Sequence, residues 1–253
     1  MMWNAVVLAG DRNPRDPVAR AGLSPHKASA PVGTRRLVDF PLAALAAAMD
    51  QGRIGRIIVA AAPGAAAPSA GPWDVIEAGA TIADSLTRAF ETVGAPLLVT
   101  TCDAALLTPD IIFDFLEAAE NGVELSAGIT PYANAETAPG APKRAGFALA
   151  DGVVLGANLF AIATPDPTPV FAALSRLERR RPPAEALLAA LSWRLRAPSR
   201  MDVERKAAKL TGKTAQLVDL SQPEAGFDVN AALDLMHVRQ RWEDWLKAEE
   251  SAA

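Results

Sequence analysis

The sequence predicts an α/β protein built on a doubly wound, mostly parallel mixed sheet, and three observations carry that prediction. Short apolar runs, several with β-branched residues, recur at 3–9, 54–61 and 96–101. Segments of ten or more residues with helical periodicity lie between later runs, and small-residue or polar loops follow the runs directly. Short apolar runs bounded by turn signals are the pattern of strands covered on both faces, and their alternation with helices makes the strands parallel.

The first run, 3–9, carries Val6 and Val7 and stops at Gly10, where a polar, proline-containing loop begins and continues through Lys27. An alanine-rich helix is expected over 40–49, a second buried strand over 54–61 and a Pro/Gly/Ala loop over 63–72. Residues 82–93 are helical in pattern and 96–101 form a third buried strand. Thr108-Pro109 then opens an amphipathic helix running to 120, because a threonine cap followed by proline is a helix start signal. Beyond Asn121 the rhythm changes: strands at 123–130 and 147–163 flank an Ala/Pro/Gly loop, and a helical stretch begins at 170 and runs into 178–183. Residues 184–212 are helical and basic with a break near Pro198. A last strand over 215–220, a turn at 227–230 and a closing amphipathic helix over 231–248 complete the chain. With no internal repeat and no Ser/Gly linker, 1–253 reads as a single domain carrying a helical, basic subregion at 176–213, an insertion near the C-terminus.

A chain of 253 residues with 50% hydrophobic and 21% charged residues can bury a sizeable core, which excludes disorder as its main state. Residues 1–10 lack a basic leader, and no run reaches the roughly 18 apolar residues that a spanning helix needs. The single cysteine, Cys102, excludes an internal disulfide and a multi-cysteine metal site, and the expected location is cytoplasmic. The net charge of −4 hides an asymmetry: Arg176 to Lys213 holds eleven Lys or Arg against four Asp or Glu, a balance of +7 that leaves −11 for the rest. Such a patch suits phosphates or an anionic membrane surface, and a solvated helical face gives the same pattern. Leu187, Leu188, Leu191, Trp193 and Leu195 within it could cover the core or make peripheral membrane contact. Nucleic acid is not expected as a partner, and the oligomeric state is left open.

Ligands of open parallel sheets bind beyond the carboxyl ends of the strands, so the residues just after each strand are informative. Leu8-Ala9-Gly10-Asp11-Arg12, leading to Ser24-Pro25-His26-Lys27, combines a small-residue turn with cations able to neutralise phosphates. Thr100-Thr101-Cys102-Asp103 ends a strand on a carboxylate that could hold Mg²⁺ or cap a loop. Phe227-Asp228-Val229-Asn230 offers a further oxygen ligand before the last helix, or an ordinary N-cap. Ala78-Gly79-Ala80-Thr81, followed by Ser85, is a glycine turn with hydroxyls at a helix entry, where capping would explain both hydroxyls equally well.

Taken in chain order, from Ala5 to about Leu235, the four segments resemble the nucleotidyltransferase family with a Rossmann-like, glycosyltransferase-A-type fold, in particular the branch of the molybdenum cofactor guanylyltransferases. Leu8-Ala9-Gly10 looks like its opening Leu-Ala-Gly-Gly signature, and Pro25-His26-Lys27-Ala28 through Gly33 and Arg36-Leu37 like its lysine followed by a Gly-x-Pro-Leu strand. Thr101-Cys102-Asp103 with Thr108-Pro109 is similar to its metal-binding aspartate segment, and Asp228-Val229-Asn230 with Asp234-Leu235 to its closing Asp-x-Asp-Thr-Pro-Glu-Asp-Leu. Residues 78–86 are similar to the base-proximal Gly-x-Thr-x-x-x-Ser segment of related cytidylyltransferases. Asp11 replaces the second glycine of the opening signature, the Gly-x-Arg-Met expected after it is missing, and the loop to Lys27 is longer, so Arg12, Arg15 or Arg20 could take over part of the phosphate cradle. Asn230 stands where an aspartate is common, as in sugar-1-phosphate uridylyltransferases of this fold that use asparagine as a metal ligand.

The resemblance implies transfer of a nucleoside monophosphate from a nucleoside triphosphate to a phosphorylated acceptor, a sugar, alcohol, cofactor or lipid-linked phosphate, with Mg²⁺ and release of pyrophosphate. Lys27 and Asp103 would be the catalytic pair, Asp103 and Asn230 the metal ligands with Asp228 as a substitute, and Leu8, Ala9, Gly10, Arg12, Gly79, Thr81 and Ser85 the nucleotide contacts. Asn158, within 156–160, would meet the acceptor. An acceptor phosphate is already an anion near neutral pH, so no general base is required, and positioning with charge neutralisation carries the reaction. Two other readings stay open: a degenerate, non-catalytic nucleotide-binding relative, and a nucleotide-sugar-dependent glycosyltransferase. The second expects an Asp-x-Asp motif, which Cys102-Asp103-Ala104-Ala105 does not supply.

Overall fold

The computed structural model of the chain describes residues 1–10, 15–65, 68–135, 146–179 and 197–252. Its first strand, β1 (Trp3–Ala9), shows why the apolar run is continuous. Ala5, Val7 and Ala9 point into a core cluster on one face, while Val6 points into the cluster on the other, the period-2 alternation of a strand covered twice. After a short helix α1 (Pro17–Ala21) and a two-residue ribbon of β2 (Pro31–Val32) and β3 (Arg35–Arg36), the chain forms α2 (Asp39–Asp50), β4 (Ile54–Ala61) and β5 (Trp73–Glu77). Next come α3 (Ile82–Val93), β6 (Leu97–Thr101), α4 (Pro109–Ala119), β7 (Leu125–Pro131), α5 (Tyr132–Ala135), β8 (Phe147–Leu149) and β9 (Gly152–Ile162). The described remainder is α6 (Thr168–Arg179), α7 (Arg200–Thr211), β10 (Ala215–Asp219) and α8 (Ala232–Ala252).

Among the described residues, eight strands form one sheet in the order β10-β7-β9-β6-β1-β4-β5, with β8 paired to β9. β1, β4, β5 and β6 are mutually parallel, as are β7 and β10, and β9 pairs antiparallel with β6, β7 and β8. The sheet is therefore mixed, and among the described strands β9 alone runs against the others. Helices α2 and α4 supply Leu42, Leu45, Ile112 and Phe115 to one core face, whereas α3 and α6 supply Leu86, Ala89 and Phe171 to the other. The expected cap of α4 is present, with the Thr108 hydroxyl accepting from the Ile111 amide and proline inside the first turn.

Three elements differ from expectation. The segment 63–72 does end in a loop, but β5 follows it at the sheet edge and has no counterpart in the sequence reading. Residues 227–230 follow a short 3₁₀ turn at Pro223–Gly226, and the closing helix extends to Ala252. Residues 180–196, with Leu187, Leu188, Leu191, Trp193 and Leu195, lie outside the described residues, so within the basic subregion the structure speaks only for its flanks. There Arg200 forms ion pairs with Asp219 and Asp151, and Lys213 lies 3.3 Å from Glu124. Arg205, Lys206 and Lys209 lie on α7, and all three are exposed. Among the described residues, no helix is long and apolar enough to cross a membrane.

A third, smaller core decides where the functional segments lie. Val18, Ala30, Val32 and Leu37 from the loop after β1 pack with Phe227, Val229, Leu235 and Val238 from the C-terminal segment. Gly33 turns with φ +57°, and a Cβ there would meet the Trp242 indole at 2.3 Å, so this close approach requires glycine. The Arg35 guanidinium lies 4.9 Å from the Trp242 ring centre, adding a cation–π contact to the clamp. Residues more than 200 positions apart in sequence are held side by side in this way.

Candidate functional site

The chain reaches β4 and β5 on one side of β1 and then crosses to β6 on the other, and the cleft opens beside that crossing. It has a volume of about 710 Å³, and Leu8, Gly10, Lys27, Gly79, Thr81, Ser85, Asp103, Asn158 and Asn230 all line it. Nine of the residues singled out in the sequence thus share one cavity. Ala9 does not: its side chain is in the core and its carbonyl accepts from the Ala62 amide. Arg12 lies outside the described residues. Asp228 stands behind Asn230 rather than in the lining.

At the centre is a hydrogen-bonded chain of polar side chains. The Lys27 ammonium donates to the Asp103 carboxylate Oδ2 and, at 3.0 Å, to Asn230 Oδ1. Thr101 donates its hydroxyl to the other Asp103 oxygen, and Asn230 donates its amide Nδ2 to Asp228. That last bond fixes the amide orientation and aims the oxygen at the cleft. The Val229 amide donates to the Asp103 carbonyl at 3.0 Å, locking the two segments together through backbone. Asp234 accepts from the Asn230 and Ala231 amides at 2.8 Å each, so this carboxylate closes the start of α8 and leaves Asn230's side chain for the cleft. Lys27 and Asp103 side chains are only 14% and 13% exposed. Burial by itself would lower the Lys27 pKa, but the charge and hydrogen bond of Asp103, with help from Asp16, raise it above its ordinary 10.5. The lysine is therefore a cation throughout the neutral range. Asp103 and Asn230 present two oxygens that converge on the Lys27 ammonium, and oxygen is the ligand type that a hard cation takes.

The glycine turn after β5 is shaped by packing. A Cβ on Gly79 would lie 2.3 Å from the Asp84 Cβ, and one on Gly10 would lie 3.1 Å from the Ala78 Cβ, so the two backbones pass close to each other and to α3. Thr81 caps α3 in a reciprocal box with Asp84, and Ser85 accepts from the Gly79 amide at 2.9 Å while donating to the Thr81 carbonyl at 3.0 Å. Both hydroxyls line the cleft and both carry structural bonds. Glu178 of α6, absent from the sequence reading, accepts from the Ile82 and Ala83 amides at 2.9 and 3.4 Å. The first turn of α3 is thereby satisfied by the protein itself, and no phosphate is needed there. Asp16 is a second omission: it lines the cleft while capping α1. A lone acid in a loop or helical run gives no sequence signal of such a partner.

Asn158 occupies β9 with φ +49°, where β9 places extra residues opposite Gly128 between the Ala127–Phe160 and Ile129–Gly156 pairs. Asparagine tolerates this left-handed conformation better than most residues, and the bulge re-aims it into the cleft. His237 packs 5.3 Å from the Phe227 ring, a structural contact away from the lining.

Residues 5–137, more than half of the chain, match the family model of the MobA-like NTP transferase domain. The chain belongs to that family. Nucleotidyl transfer is accordingly its general activity. No curated protein sequence matches the chain. Among solved structures, a hypothetical transferase from Thermus thermophilus is 26% identical over 93% of this chain and 100% of its own, with a TM-score of 0.73. The fold is shared with 2-C-methyl-D-erythritol 4-phosphate cytidylyltransferase, also from Thermus thermophilus, at 19% identity, 95% and 98% coverage and a TM-score of 0.54. It is also shared with a CMP:2-keto-3-deoxy-manno-octonic acid synthetase complexed with CTP, at 12% identity, 99% and 100% coverage and a TM-score of 0.57. The glycosyltransferase-A-type expectation and the mixed, mostly parallel α/β sheet agree with these neighbours. In this MobA-like domain the matched region holds Lys27 and Asp103, while Asn230 is added from the C-terminal part of the chain.

Proposed function

We propose that the chain transfers a nucleoside monophosphate from a nucleoside triphosphate to a phosphorylated acceptor, with Mg²⁺ as cofactor and pyrophosphate as leaving product. A phosphate oxygen of the acceptor forms a bond to the α-phosphorus, and the bond from that phosphorus to the oxygen bridging to the β-phosphate breaks. The observation that carries this reading is the convergence of Lys27, Asp103 and Asn230 from three distant segments beyond the ends of β1 and β6.

Asp103 and Asn230 would hold the metal, with Asp228 orienting Asn230, and Mg²⁺ would supply neutralisation of charge on the triphosphate oxygens. Lys27 would move its ammonium onto the β- and γ-phosphate oxygens. Gly10 and Gly79 let a base approach the backbone, next to Thr81 and Ser85 at the start of α3. Asn158, across the cleft on β9, would bind the acceptor. The acceptor is a sugar, alcohol, cofactor or lipid-linked phosphate, and the protein acts in the cytoplasm.

The direct test is pyrophosphate release from each of the four ribonucleoside triphosphates, with Mg²⁺ and a panel of phosphorylated acceptors. One triphosphate with one acceptor class should release pyrophosphate, and Asp103→Asn should remove most of that turnover with the fold intact. Tight triphosphate binding without release from any acceptor would favour a nucleotide-binding relative that has lost catalysis.

A further inference from the structure

The oxygens that the metal reading assigns to a divalent cation are already engaged by side chains of the chain itself. Asp103 has two carboxylate oxygens: one accepts from the Thr101 hydroxyl and the other from the Lys27 ammonium. The Asn230 amide oxygen accepts from the same ammonium at 3.0 Å, and its nitrogen is held by Asp228. A cation entering between Asp103 and Asn230 would therefore meet a positive charge at the point where it needs negative charge. Among the described residues, no group of three or more His, Cys, Asp or Glu could hold a metal instead.

We propose that Lys27 is a resident counter-ion that closes the metal seat, so that the divalent cation enters only together with the triphosphate. The inference rests on the functional reading above and adds an order of events to it. One carboxylate and one amide oxygen are a poor donor set for Mg²⁺, which sheds its waters reluctantly and takes the rest of its ligands from substrate phosphates. The triphosphate both brings those ligands and offers the ammonium oxyanions to bind. The lysine stem is flexible, so the ammonium can leave Asp103 for the phosphates without moving the backbone. The 3₁₀ turn at Lys27–Ser29, tied by the Leu37 and Val38 amides to the carbonyls of Ala30 and Ala28, keeps the base of that stem in place. The closed seat serves as protection against turnover-incompetent cations in the empty enzyme, and it keeps a nearly buried carboxylate paired until substrate arrives.

The test is Mn²⁺ binding to the full chain, read from loss of the free-ion electron paramagnetic resonance signal, with Mn²⁺ standing in for Mg²⁺. Without nucleotide, Lys27→Met should bind Mn²⁺ about tenfold or more tighter than the wild type, since one charge-assisted contact no longer competes. Lys27→Gln provides the same comparison with a polar stem should the methionine variant fold poorly. Adding Asp103→Asn to either variant should abolish the gain. The wild type should take up Mn²⁺ when an equimolar mixture of the four α,β-methylene ribonucleoside triphosphates is added, beyond what the nucleotides bind alone. Equal Mn²⁺ affinity of wild type and both lysine variants without nucleotide overturns the closed seat. If the analogues still recruit Mn²⁺ to the wild type in that case, only the order of binding falls; if they recruit none, the nucleotidyltransferase reading of the seat falls with it.

Discussion

The half of the cleft around β1 and β6 and the half around β9 are built on opposite principles. In the first, parallel strands end side by side, and the polar groups beyond them are bonded to one another before any ligand is bound: Lys27 to Asp103 and Asn230, Thr81 to Asp84, Ser85 to Gly79. In the second, a reversed strand pairs antiparallel with its neighbours, bulges at Asn158, and presents a left-handed asparagine together with a half-exposed Phe160. The first half is preorganised by hydrogen bonds, the second by backbone irregularity. Gly10, Lys27 and Asp103 of the first half fall within the family-matched region, whereas Asn230 and the whole of β9 lie beyond it.

Substitutions can break that contrast. The largest effect is expected in the first half: Asp103→Asn should lower turnover on the order of a hundredfold or more, the scale seen when a group stabilising transition-state charge is removed. Steady-state pyrophosphate release checks it, and unchanged Mg²⁺-dependent activity would remove Asp103 from the mechanism. Next, Lys27→Ala should weaken triphosphate binding or slow transfer by about an order of magnitude or more, because a charge-assisted contact contributes roughly 1.5–3 kcal/mol. The same variant strands the Asp103 carboxylate, so thermal unfolding should show a loss of stability as well. If Arg12→Ala is crippled while Lys27→Ala is not, the longer loop has moved the role to the arginine.

In the second half the effects should be smaller and should separate backbone from side chain. Asn158→Ala places a residue with poor tolerance of the left-handed region at φ +49°, a cost of about 1 kcal/mol, whereas Asn158→Gly should hold the bulge. Both should raise the acceptor KM and leave the triphosphate KM unchanged; a shift in the triphosphate KM alone would merge the two halves. The smallest effect lies where β10 joins β7. The Thr214 amide, with Lys213, holds the Glu124 carboxyl below its ordinary 4.5. A depressed folded value means that the contribution is complete above the ordinary value and is lost as pH falls through the folded one. The melting-temperature difference between wild type and Glu124→Gln should therefore be present at neutral pH and vanish in strong acid, with a difference that persists there counting against the carboxylate's role.

The same contrast explains how much could be read from the sequence. β1, β4 and β6 were legible because they are largely buried on both faces and their runs are mostly apolar, and α3 and α4 because Thr81 and Thr108 mark their starts. β5 was not, since Trp73–Glu77 lies at the sheet edge with Asp74, Val75 and Glu77 exposed. The direction of β9 was also hidden, because strand direction is set by partners in space and not by a residue pattern. Lys27, Asp103 and Asn230 could be named from family likeness, but no local pattern says that residues 76 and 203 positions apart share one ammonium. Glu178 and Asp16 escaped for a similar reason: each acts as an acceptor for amides whose partner depends on packing.

The central claim is that the seat formed by Lys27, Asp103 and Asn230 binds a triphosphate together with Mg²⁺. The most direct measurement is a thermal-shift titration of wild type and Asp103→Asn with each of the four ribonucleoside triphosphates, with and without Mg²⁺. Because a ligand that prefers the folded state raises the melting temperature by mass action, at least one triphosphate should raise that of the wild type, more so with Mg²⁺. The Mg²⁺-dependent part of that rise should disappear in Asp103→Asn. No rise with any triphosphate, or a Mg²⁺-dependent rise of equal size in the variant, would contradict the account.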